Sequence, residues 1–175
     1  DEYKWQVEKN YHTKCKKRAD GLHKILYKCP VCGKEFNMHS EGIHLWCSEC
    51  GSKWEMDTLS RLKGVNTDKG FSHIPDWYNW EREEVRKEVQ AGTYHFEDDV
   101  RIEDYYNSRT SLIYVGDGHL THDKNGFTIT GTIDGEQVTI NKPVESMYSC
   151  HIEYDLIGRG ECVDIATEKT SYFMF

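Results

Sequence analysis

Apolar and polar positions alternate clearly in two stretches of the chain and follow a helical period in one. Residues 22–28, 34–39, 43–46 and 52–56 are short runs in which apolar and polar side chains alternate. The clusters 29–33, 40–42 and 47–51 separate them, and together they predict four small strands joined by tight turns. Residues 75–90 carry the helical period. Pro75 suits a first turn, acidic side chains gather early and basic ones late, and Trp77, Trp80 or Glu81, Glu84, Val85, Glu88 and Val89 share one side.

From residue 99 onward the period becomes two. Candidate strands are 99–106, 111–115, 118–122, 127–132, 136–140, 145–155, 161–167 and 171–175. Asp117-Gly118, Asn125-Gly126, Asp134-Gly135 and Gly158-Arg159-Gly160 are the expected turns. Phe127 and Ile129 alternate with Thr128 and Thr130 until Gly131, where a bulge or bend is expected. No helical crossovers separate these strands, so the sheet should be antiparallel. The fold class is therefore mainly β with a short helical segment. A rubredoxin-like ribbon is followed by a helix and an antiparallel β-barrel or sandwich. The expected divisions are a basic lead-in and ribbon over 1–62, a linker and helix over 63–97, and the barrel or sandwich over 98–175.

Composition sharpens this picture. The 175 residues are only 37% hydrophobic, yet include 11 Tyr, 6 Phe and 5 Trp, enough large side chains to build cores. Net charge is -8, which argues against nucleic acid as the main partner. Charge is unevenly spread: residues 1–34 hold nine Lys/Arg and four Asp/Glu, against thirteen and twenty-six in the rest. Within the lead-in, Lys14, Lys16, Lys17 and Arg18 form the densest cationic run and are the candidates for contact with an anionic surface. No apolar run reaches the roughly 18–20 residues that span a bilayer. The chain starts at Asp1 and ends in a strand-like run; a fragment of a longer protein is one reading of this, so missing targeting signals say little about a parent protein.

Chemistry concentrates in the cysteines. Cys29, Cys32, Cys47 and Cys50 follow C-x2-C-x14-C-x2-C spacing, and a glycine follows each pair. Each pair can curl two thiolates toward one point, and the intervening residues can fold the second pair onto the first. Four thiolates suit one tetrahedral Zn(II) of structural type, with no position open for substrate. Lys28, Lys34 and Lys53 stand where they could offset the thiolate charge. A core of Leu26, Phe36, Ile43, Leu45, Trp46 and Trp54 is small, so metal binding should supply about 10 kcal/mol or more toward folding. Seven cysteines, an odd number, fit a reducing cytoplasmic setting better than a disulfide framework. Cys150 and Cys162 are expected as buried thiols and Cys15 as a free thiol among lysines. His119, His122, Asp123 and His151 are expected as scattered side chains. Nucleophile-elbow, phosphate-loop and H-E-x-x-H signatures are all absent.

Several motifs carry a resemblance: 17–33 (KRADGLHKILYKCPVCG), 71–78 (FSHIPDWY), 92–96 (GTYHF), 120–123 (LTHD) and 146–155 (SMYSCHIEYD). Together they resemble a C-terminal extension of bacterial 1-acylglycerol-3-phosphate acyltransferase-like proteins. In that family catalysis belongs to an upstream, membrane-associated domain with an H-x4-D motif, and none of the nine histidines here has Asp five positions on. The resemblance therefore implies a non-catalytic accessory region that supports or regulates an upstream acyltransferase domain or its contact with an anionic membrane. A protein- or nucleic-acid-interaction module using the ribbon is the alternative, and an enzyme built on the β region is the third reading. The strand-rich half also resembles pleckstrin-homology-type barrels, which end in a closing helix that has no counterpart in the pattern up to Phe175.

Overall fold

The computed structural model describes residues 2–105, 111–147 and 150–175. The chain divides into two compact units, 1–87 and 88–175. The division falls inside the long helix that follows the ribbon.

The first unit opens with helix α1 (Glu2–Glu8) and a lead-in that runs to a 3-10 turn at Leu22–Lys24. The expected strand at 22–28 is not formed. Leu22 and Leu26 are four residues apart and both buried, and Leu26 N–H donates to the Leu22 carbonyl at 2.9 Å. That is helical spacing, and only a single bridge between Lys28 and Glu35 has strand character. Four strands follow: β1 (Met38–Glu41), β2 (His44–Cys47), β3 (Lys53–Met56) and β4 (Leu62–Gly64), paired antiparallel in that order. β4 lies where a linker was expected; its single apolar residue, Leu62, gives too little periodicity to mark a strand.

Helix α2 (Ile74–Ala91) supplies Trp77, fully buried, to the ribbon core. There it meets Leu26, Met38, Leu45, Trp54, Met56 and Leu62. Trp54 and Trp77 pack edge to face with ring centroids 5.0 Å apart. The helix is thus a wall of the ribbon, and the core is larger than the strands alone imply. Phe36, expected inside, is 67% exposed. Its φ of +59° follows the first cysteine turn, and the ring lies against Tyr27 at 5.4 Å.

In the second unit seven strands form one curled antiparallel sheet, a half-barrel. They are β5 (His95–Asp104), β6 (Ile113–Asp123), β7 (Gly126–Ile133), β8 (Glu136–Pro143), β9 (His151–Glu153), β10 (Cys162–Ala166) and β11 (Ser171–Met174). The order is β8-β7-β6-β5-β11-β10-β9. The curl brings Lys142 Nζ of β8 to the Ala166 carbonyl of β10 at 2.7 Å. The core holds Val100, Ile102, Val115, Leu120, Phe127, Ile129, Ile133, Ile165 and Met174.

Asp117-Gly118, expected as a turn, instead lies inside β6. Gly118 faces Gly131 across the β6–β7 ladder without a register break, so no bulge forms at Gly131. A side chain at Gly131 would sit 2.4 Å from the Asp117 carbonyl oxygen. The paired glycines therefore serve close backbone approach rather than chain reversal. Of the expected strand 145–155, the structure shows a 3-10 turn at Val144–Ser146 and then β9, with residues 148 and 149 outside the described residues. Residue 106, the expected end of the first strand in this region, is outside them too.

Candidate metal centre

Two turns of the same construction carry the four cysteines. In the first, Cys29 N–H donates to the Lys34 carbonyl at 2.9 Å and Gly33 N–H to the Cys29 carbonyl at 2.8 Å. In the second, Cys47 N–H donates to the Ser52 carbonyl and Gly51 N–H to the Cys47 carbonyl, both at 2.9 Å. Gly33 and Gly51 have φ of +73° and +74°, a left-handed conformation that glycine adopts without strain. The hairpin β1–β2, with Met38 opposite Cys47, folds the second turn onto the first.

The sulfurs converge. Cys29 Sγ lies 3.7 Å from Cys50 Sγ, and Cys32 Sγ lies 3.7 Å from Cys47 Sγ. All four fall within 4.8 Å of one another. Zn–S bonds of about 2.3 Å in a tetrahedron place sulfurs about 3.8 Å apart, so the arrangement fits a tetrahedral ion. The same separations are far beyond the roughly 2.05 Å of a disulfide. Among the described residues, no other group of three or more ligating side chains meets this criterion. The cluster can hold a metal ion, and its setting is that of a rubredoxin-like ribbon.

The protein environment differs between ligands. Cys29 and Cys47 are buried in the ribbon core, whereas Cys32 and Cys50 are exposed. Burial pushes the Cys29 thiol up to about 12 and raises Cys47 as well. Cys50 is lowered to about 6: burial opposes ionisation, but the Ser52 hydroxyl and backbone N–H, with the Cys32 and Cys29 thiols, outweigh it. A metal ion binding here must displace the thiol protons.

The three lysines expected around the thiolates take different places. Lys28 is buried and pairs with Glu35 at 3.0 Å, Lys53 is half-buried and Lys34 is exposed. The cationic candidates of the lead-in also separate. Lys14, Lys16 and Lys17 are exposed, but Arg18 is half-buried, and its guanidinium donates to the carbonyls of Met56, Asp57 and Cys15 at 2.7, 3.0 and 3.1 Å. Arg18 fastens the lead-in to the ribbon, so it is not an outward-facing cation.

The histidines and Asp123 do not assemble into a second centre. His119 Nδ1 pairs with Asp99 at 2.8 Å. His122 stacks on Phe127 with centroids 3.9 Å apart, and burial lowers its pKa. Asp123 accepts from the Asn125 backbone N–H at 2.7 Å, and His151 pairs with Glu153 at 3.3 Å. Cys162 is buried as expected, with its thiol pushed up to about 11 by burial and nearby carboxylates, whereas Cys150 is exposed.

Two residues that motif reasoning did not assign act beside the cluster. Glu81 accepts from Lys28 N–H at 2.8 Å, and Trp77 Nε1–H donates to the Lys28 carbonyl at 3.0 Å. The available signal was a glutamate four residues from a tryptophan on the helix's apolar stripe. Searches against known protein families, curated proteins and solved structures returned no match for the chain.

Proposed function

We propose that Cys29, Cys32, Cys47 and Cys50 hold one structural Zn(II), and that the chain is a non-catalytic accessory module. The convergence of four sulfurs at tetrahedral spacing carries this reading. Four thiolates fill zinc's coordination sphere and leave no position for water or substrate, which makes the ion architectural. A Cys47→Ser variant should lose the zinc that the unaltered chain retains through gel filtration. Equal zinc content in the two would count against the assignment.

The setting beside an upstream acyltransferase domain rests on the motif resemblance. On this reading Lys14, Lys16 and Lys17 face an anionic membrane surface. No helix among the described residues is long and apolar enough to cross a membrane. Binding to vesicles containing phosphatidylserine should fall when these lysines are changed to glutamine, and unchanged binding would refute the contact. Acyl transfer by this chain alone would overturn the non-catalytic reading. A second reading is favoured by the exposed Phe36 ring against Tyr27 and by His39 against Trp46, a ribbon surface suited to a protein or nucleic-acid partner. Salt-dependent binding to RNA or DNA without vesicle binding would support it.

A further inference from the structure

Trp77 and Glu81 take hold of a single residue. Four positions apart on α2, they share a face, and each bonds a different backbone group of Lys28. Both side chains are buried, at 0% and 1% exposure. The next residue is Cys29, whose N–H and carbonyl shape the first cysteine turn. Lys28 thus enters the metal centre with its peptide groups fixed by the helix.

Ordinary core packing does not explain the carboxylate. A buried acid costs free energy unless its bonds are made, and Glu81 Oε2 has no hydrogen-bond partner among the described residues. An apolar residue at position 81 would continue the stripe without that cost. What Glu81 supplies instead is an acceptor for Lys28 N–H at the edge of the centre.

We propose that Glu81 and Trp77 are positioning residues for the metal centre. By clamping Lys28 they set the place of Cys29, so metal retention and docking of α2 are coupled. The inference rests on the reading of the four cysteines as a metal site. Coupling of this kind is reciprocal: the bound ion holds the helix, and the helix holds the ion. Groups that orient metal ligands typically change affinity by about 10–100-fold, which sets the effect expected here.

The test uses the full zinc-loaded chain and follows zinc transfer to an excess of a chromophoric chelator. Glu81→Ala and Trp77→Phe should each release zinc about 10-fold faster or more. Glu81→Gln, which keeps an oxygen acceptor for Lys28 N–H, should stay within about 3-fold of the unaltered chain, well short of that loss. Leu62→Val trims the same core on β4 without touching Lys28; it should lower the melting temperature yet leave release within the same about 3-fold. Amide exchange at Lys28 in the loaded Glu81→Ala variant should also quicken. If Glu81→Ala does not fold, Trp77→Phe against Leu62→Val carries the comparison. Release from the clamp variants no faster than from Leu62→Val would overturn the coupling. An unaltered chain that binds no zinc would instead overturn the metal reading beneath it.

Discussion

Replacing Glu81 by glutamine should change how stability depends on pH. Burial raises the Glu81 carboxyl from 4.5 to about 7, with the Glu35 charge adding to the rise, against the Lys28 and Tyr27 backbone N–H groups and the Trp77 indole, which favour ionisation. The folded chain therefore keeps a proton that the unfolded chain releases between pH 4.5 and about 7. Stability from this group is fully present below 4.5 and is lost as pH rises through that window. At about 1.36 kcal/mol per pKa unit, the loss is about 3 kcal/mol. Glutamine is neutral throughout and removes the slope. The assay is urea unfolding at pH 5, 6, 7 and 8 with zinc in excess. Protonation of the thiolates acts with the opposite sign but is common to both chains and cancels in their difference. The stability of Glu81→Gln relative to the unaltered chain should rise from pH 5 to pH 8. Parallel pH curves would show that Glu81 is not held protonated by the fold.

Other consequences follow from particular contacts. Gly131→Ala places a methyl group 2.4 Å from the Asp117 carbonyl oxygen and 2.6 Å from Gly118 Cα. It should destabilise the second unit by about 1–3 kcal/mol in chemical denaturation; no change would mean that β6 and β7 are not this close. Glu103, 2% exposed, is paired with Arg101 at 2.8 Å and with Arg159. Changing both arginines to methionine strands that carboxylate and should cost about 3 kcal/mol or more at neutral pH, whereas changing Glu103 to glutamine in the same background should recover part of it. Chelation of the metal should red-shift the fluorescence of Trp54 and Trp77, which are buried against each other beside two of the ligands, and an unshifted spectrum would mean that this core stands without the ion.

The cysteine cluster was legible because its signal is local. Two C-x2-C-G turns encode their own geometry, and one hairpin brings them together. The strand character of the second half was equally plain, since Phe127, Ile129 and Ile133 point inward while Thr128 and Thr130 point outward. What the sequence concealed depends on contacts between distant residues. Gly118 reads as a turn residue, and only its partner Gly131 reveals a close ladder. Leu22 and Leu26 fit either a strand or a helical turn until the ribbon core selects the latter. Arg18 is one cation among four by sequence, but the Met56 carbonyl at the end of β3, thirty-eight residues away, takes its guanidinium. Glu81 sits on an apolar stripe, where composition suggests a partly exposed acid, yet its partner is a backbone N–H fifty-three residues back.

X-ray absorption at the zinc edge, combined with elemental analysis of the reduced chain, tests the metal assignment most directly. The account predicts one zinc per chain with four sulfur scatterers at about 2.3 Å and no oxygen or nitrogen ligand. Zinc well below one equivalent, or a first shell containing nitrogen or oxygen, would contradict it.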